Sequence, residues 1–302
     1  MRSHRKATFS IVAADGPEVG CAVQSRYFAV GSVVPWAKAG VGAVATQAAG
    51  VAVYGPQTLA FLEGGLGPEA ALEQVLAGDS ARESRQLGAV AADGSSASFT
   101  GAECLAWAGH RTGDGYAVQG NILAGEAVVV EMERAFLETG GSLAERLVSA
   151  LEAGQTAGGD SRGQQSAAIV VERVGAASES REGIDRVCEL RVEDHPTPIA
   201  ELRRLLGIHL VLDSLRRATR FHAPGQYPEG AAILRAALEA QGEDAVLLYD
   251  LACFESLSGD TEAAFGHIAR SLELDAGLKA GAAGDSDFDA LRSDPRFEAL
   301  VR

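Results

Sequence analysis

The chain has 302 residues, 47% of them hydrophobic, with 36 glycines and a formal net charge of −15 from 41 acidic and 26 basic side chains. That length exceeds one average domain and falls short of three, and the apolar share is enough to build a packed core. The acidic balance repels phosphate backbones and anionic bilayers, so neither nucleic acid nor a membrane surface is an expected partner, and no run is long and apolar enough for a spanning helix.

Cys21, Cys104, Cys188 and Cys253 are scattered, with no CxxC pair. This is the pattern of free thiols in a reducing compartment, not of a disulfide framework or a zinc ribbon. Met1 to Ala7 is basic, but the apolar stretch that follows is cut by Asp15, Gly16 and Pro17, too short and too broken for a secretory h-region. A cytoplasmic protein is expected.

Taken in chain order, Phe9 to Ala14 and Val19 to Gln24 are β-rich runs around the turn Asp15-Gly16-Pro17-Glu18, so residues 8–25 are predicted to form a hairpin. Gly31 to Val34 and Gly42 to Gln47 are two further predicted strands, flanking a turn near Trp36 to Gly40. Tyr54 to Glu63 and Pro68 to Leu76 are predicted helices, with Pro68 in a first turn and Gly78 just past the end. Leu87 to Ala92 and Ala97 to Thr100 flank Asp93-Gly94, a hairpin signal. A glycine-rich segment, Gly109 to Gly115, precedes a short strand at Tyr116 to Gly120. Glu126 to Thr139 and Leu143 to Ala153 are helical, and Ser166 to Arg173 and Arg186 to Val192 are strands. Strands segregate from helices, which predicts an α+β domain of mainly antiparallel pairs.

After His195-Pro196 the pattern becomes wholly helical. Ile199 to Arg220 reads as one long amphipathic helix with a candidate break at Gly207. Beyond it, Gly225 and Gly259 lie 34 positions apart, each ahead of a similar apolar pattern, which is the tetratricopeptide period. The simpler alternative is an ordinary helical hairpin. The division expected is residues 1–196 as the α+β domain, 197–223 as a connecting helix and 224–302 as a tetratricopeptide-like tail of two tandem hairpins packed through Leu234, Leu238, Leu251, Ile268 and Leu272.

The segment richest in candidate chemistry is Ala157 to Ser166. Gly158 and Gly159 bring backbone amides close to a bound group, Asp160 and Arg162 are spaced to orient each other or a substrate, and Gln165 and Ser166 begin a strand. The alternative is a loop in which Asp160 caps a turn and Arg162 is solvated. Ser25 and Arg26 end a strand and lead into Phe28 to Gly31, a candidate pocket wall, or simply a strand-end arginine. His110 is a lone loop histidine with no second ligand at metal spacing, and Asp194-His195-Pro196 reads as a turn before a helix. No metal site and no organic cofactor are implied.

Several blocks together carry a resemblance. Thr8 to Ala13, Phe28 to Trp36, Gly40 to Gln47, Arg85 to Leu87, Phe99 to Gly101, Trp107 to His110, Gly120-Asn121 and Gly158 to Ala167, in order over about residues 8–213, resemble the domain of unknown function 1028 family. The resemblance implies an Ntn-hydrolase-like fold: two antiparallel sheets between helical layers. Such enzymes attack an amide with the side chain of their first mature residue and use its α-amine as base. The matching position is Thr8, which seven residues precede. Gly158 and Gly159 would lie near the oxyanion, and Lys38 or Arg26 would be the base-tuning cation.

The function expected is an amidohydrolase or peptidase acting on a small amide or peptide. Thr8 would be the nucleophile, with Ser10, Ser25, Arg26, His110, Asn121, Asp160, Arg162, Gln165 and Ser166 about the substrate. The alternative is a non-catalytic binding or scaffold protein that uses the tail for a protein partner. A homo-oligomer is open in either case.

Overall fold

The computed structural model describes residues 8–179 and 183–302. Residues 1–7, whose basic run bears on the expected absence of a signal segment, lie outside the described residues. The chain divides into two compact units between Leu206 and Gly207.

The N-terminal unit contains two antiparallel sheets. One has strands β1 (Thr8–Asp15), β2 (Glu18–Ser25), β7 (Gly109–Gly113), β8 (Tyr116–Asn121), β9 (Ser166–Arg173) and β10 (Arg186–Val192), in the order β10-β9-β2-β1-β8-β7. The other has β3 (Pro35–Lys38), β4 (Gly42–Ala48), β5 (Arg85–Ala91) and β6 (Ser96–Thr100) in sequence order. The sheets face each other through β1 and β4 and through β5 and β8. Helices α1 (Tyr54–Glu63) and α2 (Pro68–Leu76) cover the outer face of the smaller sheet, and α3 (Ala127–Glu138) and α4 (Leu143–Thr156) that of the larger. A single turn, α5 (Ala176–Glu179), follows β9.

Strand alternation explains the layering. On β1, Phe9 and Ile11 are wholly buried and project opposite to Thr8, Ser10 and Val12. The outer layer under α1 and α2 is closed by Val44, Leu59, Leu72, Leu76, Leu87 and Ala89. Between the sheets, Val12, Cys21, Val23, Ala43, Val90 and Val170 make one end apolar. The other end of that interlayer is polar: Ser10, Gln47, Gln86 and Gln119 are all buried there.

The hairpin predicted over residues 8–25 forms with Thr8 opposite Ser25. The segment from Gly31 to Val34 differs from expectation. Val30–Ser32 is a 3-10 turn, and the strand comes at Pro35–Lys38 where a turn was expected. The Ser32 hydroxyl donates to the Ala29 carbonyl (2.7 Å), which closes the turn, and Pro35 is tolerated because β3 is an edge. Gly109 to Gly113, expected as loop, is the edge strand β7. Its side chains face solvent, so it lacks the apolar alternation that signals a strand.

Helix α6 (Pro198–Thr219) runs on without a break at Gly207. Its first turns belong to the N-terminal unit: Ile199, Leu202 and Leu206 are buried, and Arg203 binds Glu152 and Ser149 of α4. That docking carries the division between the units into α6, past the expected boundary at 196.

The C-terminal unit is all helical among the described residues: the rest of α6, then α7 (Tyr227–Gln241), α8 (Ala245–Ser258), α9 (Thr261–Leu274), α10 (Lys279–Gly284) and α11 (Pro295–Val301). Helix α8 packs on both α7 and α9. Leu234, Leu247, Leu251 and Phe254 form one core cluster, and Phe265, Ile268, Leu272, Phe288 and Phe297 another. No helix among the described residues is long and apolar enough to cross a membrane. The four cysteines are free.

Candidate active site

Pairing register sets the site. Thr8 stands opposite Ser25 on one side and Asn121 on the other, and Ser25 stands opposite Ser166. Directly opposed residues of an antiparallel sheet share a face. Asn121, Thr8, Ser25 and Ser166 therefore form one row of short polar side chains across four strands, on the face turned to the second sheet, and all four are buried.

The Thr8 hydroxyl lies 3.0 Å from the Ser25 hydroxyl. Behind it a hydrogen-bonded network joins the sheets. The Ser10 hydroxyl donates to Gln47 Oε1 (2.7 Å) and accepts from Gln119 Nε2 (2.6 Å). Gln47 Nε2 donates to Gln86 Oε1 (2.8 Å) and, more loosely, to the Thr8 carbonyl (3.4 Å). Asn121 Nδ2 also donates to Gln86 Oε1 (2.9 Å), while Gln86 Nε2 donates to Thr100 Oγ1 and the Gly120 carbonyl.

Thr8 opens onto a pocket of about 70 Å³. Two stretches of chain wall it: Tyr27, Val30, Val33 and Val34 come from one, and Thr46, Gln47, Ala48, Gly50 and Ala52 from the other. Tyr27 apart, no ionisable side chain is among the described residues that line it. Hydrogen bonds fix both walls. Ser166 Oγ accepts from the Val30 amide (3.0 Å) and donates to the Tyr27 carbonyl, and the Thr46 amide donates to the Val34 carbonyl (3.2 Å). Arg85 donates to the Ala49 carbonyl and to Asp79 (2.8 Å), and Tyr54 donates to Asp79 as well (2.7 Å). The Arg85 guanidinium, with Tyr54, holds the Asp79 carboxyl far below the usual carboxylate range.

Backbone strain gathers around the same place. Ala29, Ala48 and Ile122 have φ of 54°, 65° and 53°, in the left-handed region that non-glycine residues rarely occupy. Ala48 lines the pocket, Ala29 precedes Val30, and Ile122 follows Asn121. Such residues persist where the surrounding structure over-determines them, and they concentrate at functional sites.

The other expected site residues divide. Asp160 is buried at the same end of the larger sheet, where its carboxylate accepts from the Arg26 amide (2.9 Å), the Arg162 amide (2.8 Å) and the Arg162 guanidinium (3.0 Å). Arg26 is exposed, and its guanidinium donates to the Arg162 carbonyl. Neither Asp160, Arg162 nor Arg26 lines the pocket; they staple the loop beside it. Gln165 binds Asp194 (3.1 Å). His110 lies on β7 against Thr100 Oγ1 (2.9 Å), with desolvation lowering its basicity, and is also off the pocket wall.

The oxyanion role expected of Gly158 and Gly159 needs correction. Their amides donate to the carbonyls of Gln155 (3.1 Å) and Gly154 (3.0 Å). With φ of 117° and 56° these glycines finish α4, satisfying its last carbonyls as helix-ending glycines do. Lys38 also differs from expectation. It sits at the far end of β3, opposite Gly42, in an exposed ion pair with Glu63 (2.6 Å).

Residues 8–202 match the model of a family of unknown function, DUF1028. The chain belongs to the DUF1028 family. A crystal structure of a DUF1028 protein from Silicibacter pomeroyi is 32% identical, with 66% of this chain and 84% of that one covered and a TM-score of 0.60. No curated protein matches the chain. The DUF1028 match spans every residue of the buried row, from Thr8 to Ser166.

Sequence reasoning did not single out Gln47, Gln86, Gln119, Val33, Val34 or Arg85 as site residues. Glutamines alternating with apolar residues on a strand look like a solvent face. The one usable signal was that Gln47 and Gln119 lie within predicted strands, and Gln86 just before one, among residues too small and apolar for an exposed surface.

Proposed function

We propose that this protein is an amide hydrolase of the N-terminal nucleophile type, competent once Thr8 is the first residue of the chain. The observation that carries the reading is the buried Thr8 hydroxyl, at the head of a central strand, facing a pocket with no His, Asp, Glu or Lys among its described lining residues. A threonine hydroxyl needs an adjacent base, and there the base has to come from Thr8 itself. An amide nitrogen cannot accept the proton; a free α-amine, with an unperturbed pKa of about 8, can. The layering of helices outside two facing sheets supports an Ntn-hydrolase-like N-terminal unit.

In this reading Thr8 Oγ attacks the carbonyl carbon of the substrate while its proton passes to the α-amine. The carbon–nitrogen bond then breaks, the amine leaves with that proton, and a Thr8 ester remains. Water, deprotonated by the same α-amine, releases the acid. Ser25 orients the Thr8 hydroxyl. Asn121, directly across from Thr8, offers the second hydrogen of its amide to the oxyanion.

The test compares three proteins against a panel of acyl-amides and dipeptides: the 302-residue chain, a chain beginning at Thr8, and that chain with Thr8→Ala. Turnover is expected only in the second. Equal turnover by the uncut chain and by the Thr8→Ala protein rules the mechanism out.

The alternative, a binding protein, draws on the C-terminal unit. Helices α7 and α9 begin at Tyr227 and Thr261, 34 residues apart, and the buried pairs Leu234/Ile268 and Ala231/Phe265 keep that spacing. This supports a tetratricopeptide-like module, a common scaffold for partner proteins. Intact-mass measurement of the purified protein separates the readings: a chain that never loses the residues before Thr8 favours the binding protein.

A further inference from the structure

The pocket beside Thr8 is narrower in chemistry than the nucleophile reading requires. Its aliphatic lining is Val30, Val33, Val34, Ala48 and Ala52, beside the polar Thr46, Gln47 and Tyr27. A carboxylate or ammonium placed there would be desolvated without a charged partner among the described lining residues, an arrangement that strongly disfavours burial. Size restricts it further. An apolar cavity of about 150 Å³ holds benzene, and this pocket has about 70 Å³. That volume matches a group of three or four aliphatic carbons more closely than a phenyl ring.

The walls have little freedom to widen. The Val30 amide is tied to Ser166 Oγ, the Val34 carbonyl to the Thr46 amide, and Gln47 to Gln86 within its sheet and to Ser10 across the sheets. A pocket whose backbone is held on both sides selects by shape rather than adapting to its occupant.

We propose that the site takes amides whose acyl side bears a short branched aliphatic group, of the size of an isopropyl or isobutyl chain, and rejects aromatic and charged acyl groups. The chemistry of this proposal rests on the Thr8 reading; its shape argument does not. Thr8 itself lines the pocket, so the acyl group that becomes bonded to Thr8 Oγ, rather than the departing amine, is the group selected.

Binding is measured in the Thr8→Ala protein, which cannot turn over by this route, using valine methyl NMR signals and three probes: isobutyramide, phenylacetamide and succinamate. Isobutyramide is expected to shift the Val30, Val33 and Val34 methyls saturably, with the other two probes at least tenfold weaker. Ala52→Leu, which narrows the partly exposed pocket, should weaken isobutyramide at least tenfold, and Val33→Ala combined with Val34→Ala should admit phenylacetamide. Equal binding of phenylacetamide or succinamate, or no shift at the three valines, overturns the proposal. Hydrolysis of other amides by the chain beginning at Thr8, with no isobutyramide binding, overturns the specificity alone. Isobutyramide binding with no hydrolysis of any amide leaves the specificity and removes the nucleophile.

Discussion

Thr8 Oγ1 and Ser25 Oγ lie 3.0 Å apart on adjacent strands, with both residues buried. Removing Ser25's hydroxyl leaves Thr8 without that partner. Ser25→Ala should cost about 1 kcal/mol in urea unfolding, the net value of one such hydrogen bond. In the chain beginning at Thr8 it should lower kcat by about tenfold, an effect of about 1.4 kcal/mol on the barrier. Ser25→Thr keeps the hydroxyl and should retain most of both.

Gln86 is the hub of the inter-sheet network, accepting from Gln47 and Asn121 and donating to Thr100 and Gly120. Gln86→Leu strands buried donors on both sheets and should destabilise the N-terminal unit by about 3 kcal/mol. Gly88→Ala attacks the same network from its other side. A methyl there would stand 2.0 Å from Gln119 Oε1, and overpacking of that kind costs about 1–3 kcal/mol. Chemical denaturation followed by the fluorescence of Trp36 and Trp107 reads both.

In the C-terminal unit Leu251 is wholly buried on α8 among Leu234, Leu247 and Phe254. Leu251→Asp places an unpaired carboxylate in that cluster and should cost about 4 kcal/mol. The expected outcome is loss of helical circular dichroism and rapid proteolysis beyond Gly207, with the N-terminal unit retained. Survival of the helical signal would show that the cluster does not hold the unit together.

Burial pushes the Asp250 carboxyl up to about 6, with Asp285 and Asp287 adding repulsion and His222 partly opposing it. The unfolded chain releases that proton near pH 4, roughly the ordinary carboxylate value. Between these values the folded state holds more protons than the unfolded one, so this group's contribution to stability falls as pH rises. Hydrogen exchange of α8 amides should slow on going from pH 7 to pH 5 after correction for intrinsic rates. Asp250→Asn should slow it at pH 7 and reduce the difference between the two pH values.

The hairpin from Thr8 to Ser25 was legible because its turn residues are local; the pairing of the two hydroxyls emerged only from its register. Antiparallel pairing and the helical C-terminal region followed from the same signals, while two facing sheets were implied by the family resemblance. The pocket was only partly legible. Val30 fell within the segment expected to form a wall, but Val34, Thr46 and Ala52 come from the bend after a 3-10 turn, a strand and a loop whose meeting depends on how the sheets face each other. Gly158 and Gly159 misled because a glycine pair that ends a helix and one that cradles an anion have the same sequence signature. The difference lies in the carbonyls of Gly154 and Gln155, which claim both amides.

The row Asn121, Thr8, Ser25, Ser166 also sets a tolerance on chain length. The row next to it, Gly120, Phe9, Gln24, Ala167, points to the opposite face. Deleting a single residue within β1 would therefore turn Phe9 toward the pocket and swing the hydroxyl away from it, because side chains alternate with a period of two. Length changes in the Gly16-Pro17 turn carry no such penalty, since they leave the pairing of the strands untouched. Natural relatives and engineered variants alike should thus vary freely at that turn while keeping an unchanged count of residues between Thr8 and Asp15.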